Sequence, residues 1–286
     1  MGTYLHRDKF NQLLYNSYVF DLEYIGTSTQ LETCFIWDLC CEHLPSGRIF
    51  QITIRPDIHP LPPPFGADFI QVTESILQQR NAVPFAQAWN SLQVFIRATT
   101  GYPTAPVIFI AHNAFKADKL MLEIDCKRHR IKIPYRWYFF DSLLFCRKQI
   151  IKHSSYALND LHRHLFHADI AQQHFAVSDT VALRNILVSI GLNKLEGPVY
   201  PAHCTALQAV KWLGSSSERI LFSHGIRSLE DLVQKVVVAY CDSQFLSATV
   251  HLQPFIRNYL MSNYAIKQGN AASIADSLAQ KWIPGV

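Results

Sequence analysis

Residues 17–26 are rich in Tyr, Val, Phe, Leu and Ile and predict a buried strand, yet Asp21 and Glu23 stand inside it. Alternate residues of a strand point to the same face, so these two carboxylates share one side of any sheet built on the segment. Buried carboxylates without partners are costly. The fold must therefore bring compensating groups to that face. Further along, Asp118 follows Val107-Ile108-Phe109-Ile110-Ala111-His112-Asn113, and His174 and Asp179 bound the stretch His174-Phe175-Ala176-Val177-Ser178-Asp179. Acids gathered from distant segments repel one another unless a cation neutralises them. The set predicts a divalent-metal site that acts on phosphate esters.

The surrounding pattern says what could gather them. Residues 32–40 and 48–54 read as two more strands, with turns at Gly26–Gln30 and Leu44–Gly47, which predicts an antiparallel meander. A proline-rich loop, Pro56 to Pro64, follows. Helical spacing then marks 70–81 and 84–98, a strand 106–111, a helix 114–129, a strand 136–141 ending at Asp141, and helices 155–167 and 176–191. Strands first and alternating helices and strands later predict an α/β fold, a mixed sheet flanked by helices. A boundary near Gly197-Pro198-Val199-Tyr200-Pro201 separates a domain over 1–195 from 196–286, a small all-α region with helices at 207–213 and 229–238. Within it, residues 221–232, with Gly225, resemble a helix–hairpin–helix element and equally fit an ordinary helical hairpin with a glycine cap. Such a region could grip duplex or bind a protein partner.

A chain of 286 residues can bury a sizeable core, and 49% hydrophobic with 17% charged residues argues against disorder. A net charge of +4 excludes a strongly basic nucleic-acid coat, so any phosphate-binding surface is local. Basic residues do cluster at 126–136, with Arg147, Lys148 and Lys152 nearby; a solvated helix end explains them equally well. The seven cysteines are odd in number and contain no CxxC pair, so neither a zinc site nor a disulfide framework is indicated. They read as small core residues in a reducing, intracellular compartment, cytoplasmic or nuclear. The N-terminus has no signal-peptide pattern. No apolar run approaches the roughly 20 residues that span a bilayer, so no membrane association is expected.

Hard cations such as Mg²⁺ and Mn²⁺ prefer carboxylate oxygens. Two of them about 4 Å apart can stabilise both the attacking and the leaving oxygen of a phosphoryl displacement. An imidazole at the rim can act as base, because it titrates near neutrality. Asp-x-Glu alone is common; the ordered set is specific. His162, His164 and His167 do not share one helix face and read as surface or packing residues, and Trp37, Trp89, Trp137 and Trp212 read as core. Tyr24 borders the acids and is the candidate base-stacking residue.

On these residues the chain resembles the DEDDh branch of the DnaQ-like 3′–5′ exonuclease superfamily, which has an RNase H-like fold. Phe20-Asp21-Leu22-Glu23 resembles its first motif, and Ala111-His112-Asn113 with Asp118 the second. Ser155-Tyr156-Ala157-Leu158-Asn159-Asp160-Leu161 with His174 and Asp179 resembles the third, and Phe140-Asp141-Ser142 fits a common feature of the family. The resemblance covers about residues 15–192. It implies that Asp21, Glu23 and Asp179 hold one Mg²⁺ or Mn²⁺, that Asp21 and Asp118 bear on a second, and that His174 is the general base. It further implies that His112 and Asn113 orient the second motif and shape the nucleotide pocket, and that Leu22, Tyr24 and Ile25 receive the terminal nucleotide. Tyr24-Ile25-Gly26 departs from the family's usual Thr or Thr-Gly, and Ala117 from its aromatic before the second Asp. Asp125 sits two helical turns beyond Asp118, too far to replace it. The function implied is a metal-dependent 3′–5′ exonuclease that removes nucleoside 5′-monophosphates from a free 3′ end of DNA or RNA. The alternative is a catalytically silent exonuclease-like domain that binds nucleic acid or protein.

Overall fold

The computed structural model describes residues 3–26, 33–63, 70–100, 106–203, 210, 213, 215–226, 228, 229, 231–236, 239 and 252–279. The chain forms two compact units, Tyr4–His203 and a second built from Met1–Thr3 with Cys204–Val286.

The strands of the chain's mixed sheet are β1 (Thr3–Leu5), β2 (Ser17–Ile25), β3 (Phe35–His43), β4 (Arg48–Arg55), β5 (Val83–Pro84), β6 (Val107–Ala111), β7 (Trp137–Asp141) and β8 (Gly197–Pro201). Their order across the sheet is β1-β8-β7-β6-β2-β3-β4-β5. β2, β3 and β4 form the expected antiparallel meander, joined at the second turn by Gly47, whose φ of +66° suits a residue without a side chain. β2 pairs with β6, and β6 with β7, in parallel, each after a helical crossover. This meander followed by parallel strands is an RNase H-like α/β arrangement.

Helices cover the faces. α3 (Phe85–Thr99) buries Phe85, Ala88, Trp89, Leu92 and Ile96, a stripe at helical spacing. α7 (Ala176–Ile190) packs on β2 and β3, and its Leu183, Ile186 and Leu187 join Val19, Ile108, Ile110 and Phe140 in one core cluster. Trp37, Trp89 and Trp137 are buried, as are Cys34, Cys40, Cys41, Cys126 and Cys146. Trp212, Cys204 and Cys241 lie outside the described residues.

Several elements differ from expectation. The helix expected over 70–81 is α2 (Glu74–Gln79), because the Thr73 side chain accepts the Ile76 N–H and starts it there. The helix expected from 114 is α4 (Asp118–Arg128); residues 112–117 turn first, with Asn113 left-handed at φ +61°. α5 (Ser142–Gln149) was not expected; it starts directly off β7, where Asp141 caps it through the Leu143 N–H at 3.0 Å. The helix expected over 155–167 is α6 (Leu158–Phe166). The boundary expected at Gly197–Pro201 is instead β8, antiparallel to β7, so the segment after 196 is not all helical and the first unit runs on to His203. Gly197 is needed there: its φ is +154°, and a Cβ would lie 3.0 Å from the Phe140 ring.

In the second unit, helices at Ser215–Ser223, Leu252–Tyr264 and Gln268–Ser277 are described. Gly225, at φ +78°, ends the first, with Ile226 N–H bonded to the Leu221 carbonyl at 3.0 Å; this is a glycine-capped helix end. Ser228 caps the next helical stretch through the Asp231 N–H at 3.2 Å. Most of the helix expected at 207–213 lies outside the described residues, as do most of the turn after Gly26 and the end of the proline-rich loop at Pro64. Among the described residues no helix is long and apolar enough to cross a membrane.

Candidate active site

β2 carries Asp21 and Glu23 past the point where its pairing with β6 ends at Val19. Between the two acids, the Leu22 N–H donates to Asp118 Oδ1 at 2.9 Å, so the first residue of α4 is tied to the acidic strand by its carboxylate. Asp179 sits in the first turn of α7, where the helix dipole favours an acid. One oxygen each of Glu23 and Asp179 and one ring nitrogen of His174 lie within 4.8 Å of one another, a spacing suited to a shared ion. The His174 N–H donates to Asp179 Oδ2 at 3.2 Å. Glu23, Asp118 and Asp179 are buried, and His174 is half-buried. The structure thus gathers Glu23, His174 and Asp179 tightly, with Asp118 bonded to the strand beside them and Asp21 close enough to feel Asp118, Glu23 and Asp179 electrostatically.

Electrostatics show what the cluster lacks. Burial, then repulsion from Asp118, Glu23 and Asp179, holds the Asp21 carboxyl well above the usual range. Burial, then Asp179 and Asp118, pushes Glu23 up to about 9. Burial lifts Asp118 to about 7, against the pull of the Leu22 amide, and Asp179 is raised by burial too. Among the described residues, Asp21 Oδ2 and Asp179 Oδ1 are buried with no hydrogen-bond partner. Orphaned carboxylate oxygens in a cluster where neighbouring acids raise Asp21 and Glu23 suit hard divalent cations. The donor set therefore fits the expected metals, with Asp21, Glu23, Asp118 and Asp179 as the residues that would hold them.

The expected pocket residues are placed as follows. The His112 ring is held at both nitrogens: Nε2 donates to the Tyr156 carbonyl at 2.8 Å, which leaves Nδ1 to accept from Ser142 Oγ at 3.1 Å. Burial pushes its pKa down to about 4, so the ring is neutral. His112 is a brace between β6, α5 and the approach to α6. The Asn113 N–H donates to Asp141 Oδ1 at 3.0 Å, and Asp141 also accepts from Phe115 at 3.5 Å. Asp141 thereby shapes the turn that delivers Asp118. Leu22 and Ile25 are buried core side chains, 4% and 1% exposed, so they have little side chain to offer a nucleotide. Tyr24 is half-buried, and burial followed by Asp118 raises its hydroxyl. Asp125 is engaged elsewhere, accepting the Ile36 N–H at 3.0 Å and pairing with Arg128.

Two residues not singled out from the sequence border the site. Asp38 pairs in register with Glu23 across β2 and β3, is fully buried, and forms an ion pair with Arg80. Burial raises the Asp38 carboxyl, and the Arg80 charge pulls it back down. The signal for Asp38 was available: an acid inside Phe35-Ile36-Trp37-Asp38-Leu39 is as anomalous as Asp21 in β2.

No family model matches the sequence, and no curated protein matches it. Among solved structures, the chain is similar to the nuclease domain of 3′hExo, a DEDDh family member, bound to rAMP. That likeness has a TM-score of 0.48 at 14% identity and covers 63% of this chain and 94% of that one. A 3′-exonuclease structure concerned with 3′-end specific recognition of histone mRNA stem-loop is similar at TM-score 0.48 and 13% identity, over 63% of this chain and 65% of that one.

Proposed function

We propose that this protein is a metal-dependent 3′–5′ exonuclease that hydrolyses the terminal phosphodiester of DNA or RNA and releases nucleoside 5′-monophosphates. The observation that carries the proposal is the convergence of Glu23, His174 and Asp179 within 4.8 Å, beside an Asp118 bonded between Asp21 and Glu23. Two Mg²⁺ or Mn²⁺ ions held by Asp21, Glu23, Asp118 and Asp179 would supply charge neutralisation and Lewis-acid stabilisation of the displacement. His174, at the half-buried rim, takes the proton of the attacking water. Its backbone bond to Asp179 ties it to the acid cluster. Tyr24 offers the terminal base a ring to stack on. His112 and Asn113 act behind the site, holding the turn that presents Asp118. Exposed Lys127, Arg130 and Lys132 give the strand's phosphates a local basic surface. The buried thiols of Cys40, Cys41, Cys126 and Cys146 fit an intracellular place of action. The second unit, with its glycine-capped helix end, is where a protein or duplex partner is to be sought.

The test is incubation of 3′- and 5′-labelled DNA and RNA oligonucleotides with Mg²⁺, Mn²⁺ or EDTA. The expected result is stepwise loss from the 3′ end, blocked by EDTA and abolished in Asp21→Ala and His174→Ala proteins that still fold. Undiminished cleavage by Asp21→Ala overturns the proposal. Failure of the wild type to bind Mn²⁺ in a calorimeter favours the silent binding domain instead.

A further inference from the structure

Beside the acids lies a charged pair that the proposed chemistry does not use. Arg80, the residue that ends α2, donates from Nη2 to both oxygens of Asp38, at 3.1 and 3.2 Å. Asp38 Oδ2 also accepts the Ala176 N–H, at 3.3 Å. The Arg80 guanidinium lies 5.3 Å from the centroid of the Trp37 ring and 5.1 Å from that of Phe175. Those two rings meet each other edge-on at 6.0 Å. Phe175 and Ala176 are the two residues that follow His174. His174 itself has φ +66°, a left-handed conformation uncommon for a residue with a side chain.

We infer that Arg80 and Asp38 are positioning residues for His174. They grip the ring of Phe175 and the amide of Ala176, and so hold the imidazole against Glu23 and Asp179. This rests on the proposed function for His174's role as base. The segment is tethered on both sides: Asp179 holds the His174 amide, and Asp38 holds the Ala176 amide. A buried ion pair adds little net stability over well-packed apolar residues. Its geometric effect is larger, because an amide bonded to a fixed carboxylate cannot drift. A guanidinium against two aromatic faces adds a cation–π attraction that fixes Phe175 as well. Misplacing a catalytic group by about 1 Å can cost on the order of 100-fold in rate.

The experiment uses the full chain and compares wild type with Arg80→Gln, Arg80→Lys and, as a control, Arg55→Ala. Arg55, at the end of β4, pairs at 2.6 Å with Glu74, the first residue of α2, an ion pair at the other end of the helix from Arg80. The readouts are kcat and KM on an end-labelled oligonucleotide with Mn²⁺, Mn²⁺ affinity by calorimetry, the melting temperature, and amide hydrogen exchange across residues 173–180. Arg80→Gln is expected to lower kcat roughly 10- to 100-fold, with KM and Mn²⁺ affinity changed by less than about threefold. Exchange at Phe175 and Ala176 rises in the same variant. Arg80→Lys recovers part of the rate, since an ammonium still pairs with Asp38 but lacks the plane that lies against the rings. Arg55→Ala matches wild type. Unchanged kcat in Arg80→Gln overturns the inference. So does a loss of kcat that only follows a loss of Mn²⁺ affinity or of melting temperature, without rescue by lysine. If Arg80→Gln does not fold, Phe175→Leu, which removes one ring from the guanidinium, reads the same contact and is expected to lower kcat several-fold with Mn²⁺ affinity kept; unchanged kcat in that variant overturns the inference in the same way. A wild type that cleaves nothing refutes the nuclease reading, and the exchange measurement still decides whether Arg80 orders the His174 segment.

Discussion

Replacing Glu23 by Gln is expected to stabilise the metal-free protein at neutral pH and, at the same time, to abolish cleavage. Glu23 is 6% exposed, and burial with repulsion from Asp179 and Asp118 lifts its pKa from 4.5 to about 9. A carboxyl whose folded pKa lies above its unfolded one contributes stability that is complete below about 4.5 and is lost as the pH rises through about 9. From 4.5 to pH 7, at about 1.4 kcal/mol per pH step, the loss is about 3.5 kcal/mol at most. Asp179 and Asp118 share that repulsion, which brings the expectation to about 1–3 kcal/mol. In a unit of this size that is a melting shift of about 3–10 °C. Thermal melts in EDTA at about pH 5 and about pH 8 read it. Wild type should melt lower at the higher pH, and Glu23→Gln should lose less. Mn²⁺ added at the higher pH should raise the wild type and leave the variant nearly unmoved, since ligand binding to the folded state alone stabilises it. If Glu23→Gln melts no higher than wild type in EDTA near neutrality, the acids are already compensated within the fold and no cation is called for.

Other substitutions probe the framework. Asp141→Ala leaves the Asn113, Phe115 and Leu143 amides without their acceptor and should cost about 3 kcal/mol or more in urea unfolding, with weaker Mn²⁺ binding because Asp118 follows that turn. His112, with its pKa near 4, should show a ring resonance that does not move between about pH 5 and pH 8, and His112→Ala should cost about 1–3 kcal/mol by stranding Ser142 Oγ and the Tyr156 carbonyl. Gly26→Ala should destabilise by about 1–3 kcal/mol in the same assay. Gly26 has φ +130°, and its Cβ would meet the Cys34 backbone at 2.8 Å.

The meander of β2, β3 and β4 was legible because strand composition, short links and a turn glycine all agreed. α3 was legible because its buried stripe repeats at one period. Asp21 and Glu23 stood out because nothing in an apolar strand accounts for them. The rest depends on groups far apart in sequence. Arg80 carries no local mark; sheet register alone sets Asp38 opposite Glu23, and the fold then brings Arg80 to it. His112 reads as a pocket residue until Ser142 and Tyr156, 30 and 44 positions on, are seen to hold both its nitrogens. β8 was hidden because Gly197, Pro198 and Pro201 look like a breaker, and only the open flank of β7 makes a strand of them. α5 was missed because its cap is also the last residue of a strand.

β8 also decides where this protein can be cut. A fragment trimmed at 195 loses the strand that covers Tyr138–Phe140 and leaves their main-chain donors and acceptors facing outward. A bare strand of that kind invites chains to stack edge to edge and precipitate. A fragment ending at His203 keeps the flank closed, and that is the shortest piece expected to stay in solution by itself.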